Sequence, residues 1–136
     1  MIAQVFTLVG ALASAPSTTG SAHVQSFVGA LMANKDAAAL DFAAKDLDVG
    51  IAGYADAHPE ITPDIQSVER TLSGCVAKPI IELPAKGSES YYQVDFDCSK
   101  SRKYADVGFS LSIVVKNDLV SDLSLMVGGT PPVVMK

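Results

Sequence analysis

An α+β domain, with N-terminal helices packed on a curved antiparallel sheet, is predicted by three features of this sequence. Apolar residues recur at helical spacing from Val24 to Met32. The tripeptide Thr62-Pro63-Asp64 opens a second periodic stretch with strong helix-start chemistry. Beyond Gly74 the apolar period drops to two and stays there through Val127. Helices segregated from strands along a chain pack as one helix layer on one sheet. A length of 136 residues fits a single domain with one core.

The elements follow in order. Met1 to Ala15 holds no charged side chain, and Ile2 to Leu12 is too short to span a bilayer as a helix. That run suits the apolar region of a secretory signal, with Ala13-Ser14-Ala15 as a small-x-small cleavage pattern. The basic start typical of such signals is missing. The other reading is an apolar first helix or strand packed on the domain or on a partner subunit. The expected organisation is a signal peptide and flexible start over 1–20, then one domain over 21–136.

Ser21 is read as the cap of the first helix. Val24, Phe27, Val28, Leu31 and Met32 form its apolar stripe, and Asn34-Lys35-Asp36 interrupts it. Asp36 is expected to cap a second, alanine-rich helix over Ala37 to Ala44, with Leu40, Ala43 and Leu47 on one face. Asp48 to Glu60 is not readable as any element, since Gly50, Gly53 and Pro59 all oppose a helix. In the third helix Ile65, Val68 and Leu72 are the buried stripe, and Gly74 ends it. Val76 to Leu83 is then a strand in which Pro79 marks an edge or a bulge. Tyr92, Val94, Phe96 and Cys98 alternate with polar residues, as do Val107, Phe109, Leu111, Ile113 and Val115. Lys116-Asn117-Asp118 is a turn, and Leu119 to Val127 is the last strand, with Leu119, Leu123, Leu125 and Val127 on one face.

Helices followed by a meander of long strands resemble the nuclear-transport-factor-2-like superfamily, whose cone is shared by ketosteroid isomerases and polyketide cyclases. The residues that carry the resemblance are the helix Val24 to Met32, the break Asn34-Lys35-Asp36 with its alanine-rich sequel, and the closing hairpin Ile113 to Leu125. The resemblance covers about residues 21 to 130 and is architectural; no unique motif supports it. It implies a scaffold that hosts enzymes, binding domains and assembly modules. Isomerase-like members join a carboxylate to a tyrosine or second acid inside the cone. No such pair can be aligned here, so no catalytic residue is assigned.

Composition excludes several classes. With 49% apolar and 18% charged residues the chain is no disordered tail. A net charge of −5 with ten Lys and Arg spread along the chain speaks against nucleic-acid binding, and also against docking on anionic lipid. His23 and His58 are the only histidines, too few and too isolated for a zinc site, so neither metal nor cofactor is expected. No G-x-S-x-G nucleophile elbow occurs. Asp46, Asp48, Asp56, Glu60 and Asp64 read as a solvated acidic rim; the other readings are a general acid or base, if one lies in an apolar pocket, and a weak calcium surface, whose loop spacing they miss. Phe27, Phe42, Tyr54, Tyr92, Phe96 and Phe109 either pack the core or line a ligand pocket between helices and sheet.

The two cysteines are expected to form a disulfide. A hairpin turning at Gly87 sets Cys98 opposite Val76, one residue from Cys75, and a bulge at Pro79 would bring the sulfurs into register. Such a bridge fits an oxidising compartment, periplasmic or secreted, and reads as a structural staple. The competing reading is two buried thiols. The leading functional expectation is an exported, non-enzymatic domain that binds a small apolar ligand or a protein partner. The alternatives are a small isomerase- or cyclase-like enzyme, using a carboxylate in an aromatic pocket, and a structural homodimer.

Overall fold

The computed structural model describes residues 18–53, 56 and 58–128. Helix α1 is Thr18–Met32, α2 is Asp36–Leu40 and α3 is Ile65–Leu72. The strands are β1 (Ala43–Gly53), β2 (Val76–Ala77), β3 (Ile81–Lys86), β4 (Glu89–Asp97), β5 (Phe109–Lys116) and β6 (Leu119–Val127). They form one six-stranded sheet in the order β1-β6-β5-β4-β2, with β3 also paired to β4. Pairing is antiparallel throughout, except that β1 runs parallel to β6. The sheet is therefore mixed.

The period-two strands lie where the alternation puts them. In β4 Tyr92, Val94 and Phe96 are buried; in β5 Phe109, Leu111, Ile113 and Val115 are; in β6 Leu123, Leu125 and Val127 are, but at its start Val120 is buried and Leu119 exposed, because the β5–β6 ladder shifts register between Val114 and Val115. Their in-between neighbours stay partly or fully exposed, so one face of the sheet carries the core. Val24, Phe27, Val28 and Leu31 of α1 and Ile65, Val68 and Leu72 of α3 complete that core from above. Asn117 and Asp118, both at positive φ, make the tight turn joining β5 to β6.

Helix starts differ in detail from the sequence reading. Helix α1 begins at Thr18, so Ser21 lies inside it and is no cap. Asp36 is the first residue of α2 rather than its cap, and its carboxylate accepts from the Gln66 amide at 3.2 Å. Asp64, one position after the expected proline, caps α3 by accepting from the Ser67 N–H at 2.8 Å.

The larger correction concerns residues 37–53. The alanine-rich helix stops at Leu40, and Ala43–Gly53 is a strand. Its backbone pairs with β6 and its ladder is irregular between Ala43 and Asp48. That irregularity removes the clean alternation from the sequence, while alanines and Lys45 mimic a helix. The sheet edge overrides local propensity. Gly53 ends β1 at positive φ, where a Cβ would collide with the Val127 carbonyl.

Candidate functional site

The aromatic residues singled out from sequence have different placements. Phe27, Tyr92, Phe96 and Phe109 are buried in the core, and Phe96 pairs directly with Phe109 across β4 and β5. Phe42 is half-buried beside His23, with ring centroids 5.8 Å apart. Tyr54 lies outside the described residues. The space between helices and sheet is occupied by these rings together with Leu31, Leu72, Leu111, Leu123 and Leu125, all nearly free of solvent contact. The Tyr92 hydroxyl is buried among them without a hydrogen-bond partner in the described residues, and burial pushes its phenol upward.

The surface opens beside the core, in a groove of about 680 Å³ between α1 and the segment Cys75–Ile80. One wall is the α1 face carrying Val28, Gly29 and Met32. The other is the run Cys75-Val76-Ala77-Lys78-Pro79-Ile80. Val76, 61% exposed, is the most solvent-accessible large hydrophobic residue of the described chain. Gly29 leaves the helix wall bare, with nothing within 4 Å of the position a Cβ would take. Gln25 and Lys78 are the polar members of the lining.

The second wall owes its shape to a register change. Val76 faces Asp97 and Ala77 faces Phe96, whereas Ile81 already faces Gln93. Three residues, Lys78-Pro79-Ile80, thus oppose two, Val94 and Asp95. This is a bulge at the proline, one of the two features, edge or bulge, that Pro79 marks in the sequence. Continuing the β2 register by one position sets Cys75 opposite Cys98, and the two are joined as a disulfide with Cα atoms 4.2 Å apart. Both cysteines are buried.

A second constellation sits at the Phe109 end of the sheet. The Tyr104 hydroxyl donates to Glu60 Oε2 at 2.7 Å, and its ring packs edge-on against both Phe109 and His58. Lys103 Nζ and His58 Nδ1 lie 3.5 and 3.6 Å from the same carboxylate oxygen. The Tyr104 hydrogen bond, then Glu60's own backbone N–H and Lys103, hold the Glu60 carboxyl at about 2. Burial, then Glu60, pushes the Tyr104 phenol to about 12. Near neutral pH the carboxylate therefore stays ionised and the phenol protonated. A proton-transfer pair needs values near the working pH, so this arrangement is a staple between two loops.

No family model and no curated protein matches the sequence. Solved structures do match in shape. A nuclear-transport-factor-2-like protein of unknown function from Methylobacillus flagellatus superposes with a TM-score of 0.59 at 10% identity, covering 82% of this chain and 91% of that one. Another nuclear-transport-factor-2-like protein, from Burkholderia xenovorans, gives 0.53 at 12% identity, with coverage of 82% and 91%. The fold is nuclear-transport-factor-2-like. The Orange Carotenoid Protein of Anabaena, solved binding canthaxanthin, gives 0.54 at 9% identity, covering 80% of this chain and 37% of its own.

On this nuclear-transport-factor-2-like scaffold the remaining candidates disperse. His23 on α1 hydrogen-bonds the Asp118 carbonyl, far along the chain from His58 in its loop. Of the acidic run, Asp46 and Asp48 lie on β1, Asp56 is exposed, Glu60 meets Tyr104, and Asp64 caps α3. Among the described residues no three His, Cys, Asp or Glu side chains gather as metal ligands. One carboxyl escaped the sequence reading: Glu69 on α3. Its Oε2 is buried without a partner in the described residues, and burial and then the Asp36 charge push its carboxyl upward. Position 69 carried no signal because the Asp36 contact joins two helices. The groove was hidden for the same reason, since its walls come from separate elements.

Proposed function

We propose that this domain is an exported, non-enzymatic binder of a small apolar molecule, held in the groove between α1 and Cys75–Ile80. The observation that carries the reading is the groove itself. Its volume and largely aliphatic lining suit a small ligand, with Gln25 and Lys78 as the polar points that would orient it. None of the core aromatics lines this groove. The likeness to part of the Orange Carotenoid Protein, which binds canthaxanthin, supports an apolar ligand. Export rests on the apolar start and on a disulfide suited to an oxidising compartment.

The neutral fluorophore N-phenyl-1-naphthylamine tests the binding reading. Its emission should rise on mixing with the protein, and Gly29→Leu should abolish the rise while circular dichroism stays unchanged. Leucine is also the better helix former, so this variant should fold. No rise with the native sequence, or a rise that Gly29→Leu leaves intact, sinks the reading. Mass spectrometry of material from the native host tests export: a mature chain starting near Pro16 is expected, and an intact start in a cytoplasmic fraction refutes it.

The enzyme reading is favoured by one observation, the raised and half-buried Glu69 carboxyl. Glu69 does not line the apolar groove. Under that reading Glu69→Gln would remove proton-exchange activity on an enolisable ketone. If the native protein has none, the reading is withdrawn.

A further inference from the structure

We infer that the Cys75–Cys98 disulfide and an occupant of the groove are thermodynamically linked, so that oxidation shapes the site and an apolar ligand shields the bridge from reduction. The inference rests on the groove being the binding site and adds its regulation.

The wall Cys75–Ile80 has little else to hold it. Strand β2 contributes only two paired positions, flanked by two further backbone bonds: Cys75 N–H to the Leu72 carbonyl at 3.0 Å and Lys78 N–H to the Asp95 carbonyl at 2.8 Å. On one side lies Gly74 at positive φ, just after α3. On the other side Pro79 lacks a backbone donor altogether. The wall is thus bounded by a glycine joint and a register slip, with the disulfide at the joint end. Most of its side chains offer weak anchorage: Val76, Lys78 and Pro79 are exposed, while Ala77 and Ile80 are only half-buried.

Cys75 is itself a lining residue, the more accessible of the two sulfur-bearing residues, and Cys98 lies behind it on the β4 side. A ligand seated against Val28, Met32 and Val76 would cover the approach to Cys75. Reduction by a dithiol proceeds in two exchanges. A thiolate of the reductant attacks the Cys75 sulfur, forming a mixed disulfide and releasing Cys98 as a thiolate that takes up a proton. The reductant's second thiolate then displaces Cys75, which is protonated in turn. Two electrons enter the protein, and the reductant leaves as a cyclic disulfide. Once the bridge opens, the wall keeps only the short β2 ladder and the backbone bonds of Cys75 and Lys78, and can leave α1. A ligand that needs both walls must bind the reduced form more weakly, and reciprocity requires that it disfavour reduction by the same factor.

The test uses the full chain, dithiothreitol as the dithiol, and N-phenyl-1-naphthylamine as the probe. Affinity is measured for the oxidised protein, the reduced protein, and the double variant Cys75→Ala/Cys98→Ala. Reduction and mutation should each weaken binding about tenfold, the middle of the usual range for coupled sites. The rate of thiol release from the oxidised native protein is then followed with and without saturating probe. It should slow about tenfold with probe, because access to the attacked sulfur limits the exchange, and Gly29→Leu should show no such protection. The rate measurement begins from folded, oxidised protein and so remains decisive if the double variant folds poorly. Equal affinity in both redox states overturns the linkage, a reduction rate indifferent to bound probe overturns the shielding, and either result leaves the groove as a binding site. Failure of the oxidised protein to bind any probe removes the binding reading itself.

Discussion

Two irregular segments flank the sheet and are fastened by different chemistry. Cys75–Ile80 has no large side chain fully buried in the core, only the half-buried Ile80 packed against it, and a covalent bridge ties the segment to the end of β4. The loop over 99–108 has such an anchor. Tyr104 plugs into the core against Phe109 and spends its hydroxyl on Glu60. A segment with an aromatic anchor needs no cross-link, and one facing an open groove cannot have the anchor without filling the groove. The first fastening answers to redox conditions and the second to pH.

Breaking the bridge should have the largest effect. Cys75→Ala/Cys98→Ala should cost about 3 kcal/mol, from the entropy regained by the unfolded chain when a loop of this length opens. Urea unfolding, compared with the oxidised native protein, measures it. A loss below the experimental scatter would mean that the backbone ties of β2 suffice. Tyr104→Phe comes next. It keeps the ring packing and removes the hydroxyl, so it should cost about 1 kcal/mol. Unchanged stability would show that the hydroxyl contributes nothing beyond what water offers Glu60.

A pH series separates the two fastenings. The Glu60 carboxyl is lowered from 4.5 to about 2, so its contribution is complete above 4.5 and lost as pH falls toward 2. The Tyr104 phenol is raised from 10 to about 12, so its contribution is complete below 10 and lost as pH rises through 12. In thermal melts Tyr104→Phe should flatten the acid and alkaline limbs relative to the native protein. The cysteine double variant should keep both. If both variants change the limbs equally, the fastenings are not independent. Lys103→Met should produce the smallest change, below that of Tyr104→Phe, because the ammonium is 64% exposed and the pair is screened.

These outcomes also bear on what the sequence can reveal. Strands β4 to β6 were legible because one face is buried and every second residue reports it. Helix α3 was legible from Pro63 and the stripe Ile65, Val68, Leu72, and the disulfide from hairpin arithmetic plus Pro79. Strand β1 was not, because its ladder is broken between Ala43 and Asp48 and its pairing partner lies at the far end of the domain. The Tyr104–Glu60 contact joins loops 44 residues apart and leaves no local trace. Nor does the groove, whose walls are a helix face and a bulge that acquire meaning only when packed together.

The parallel seating of β1 on β6 has a consequence for the order of assembly. A strand formed early in the sequence occupies a sheet edge that does not exist until the last strand has been laid down. The helices and the β4–β5 hairpin can associate as the polypeptide emerges, but β1 must wait with its ladder groups unpaired. Closure of such a long loop is slow relative to hairpin formation. Until β6 arrives, β1 has no strand to pair with and the β5 edge of the sheet stays open.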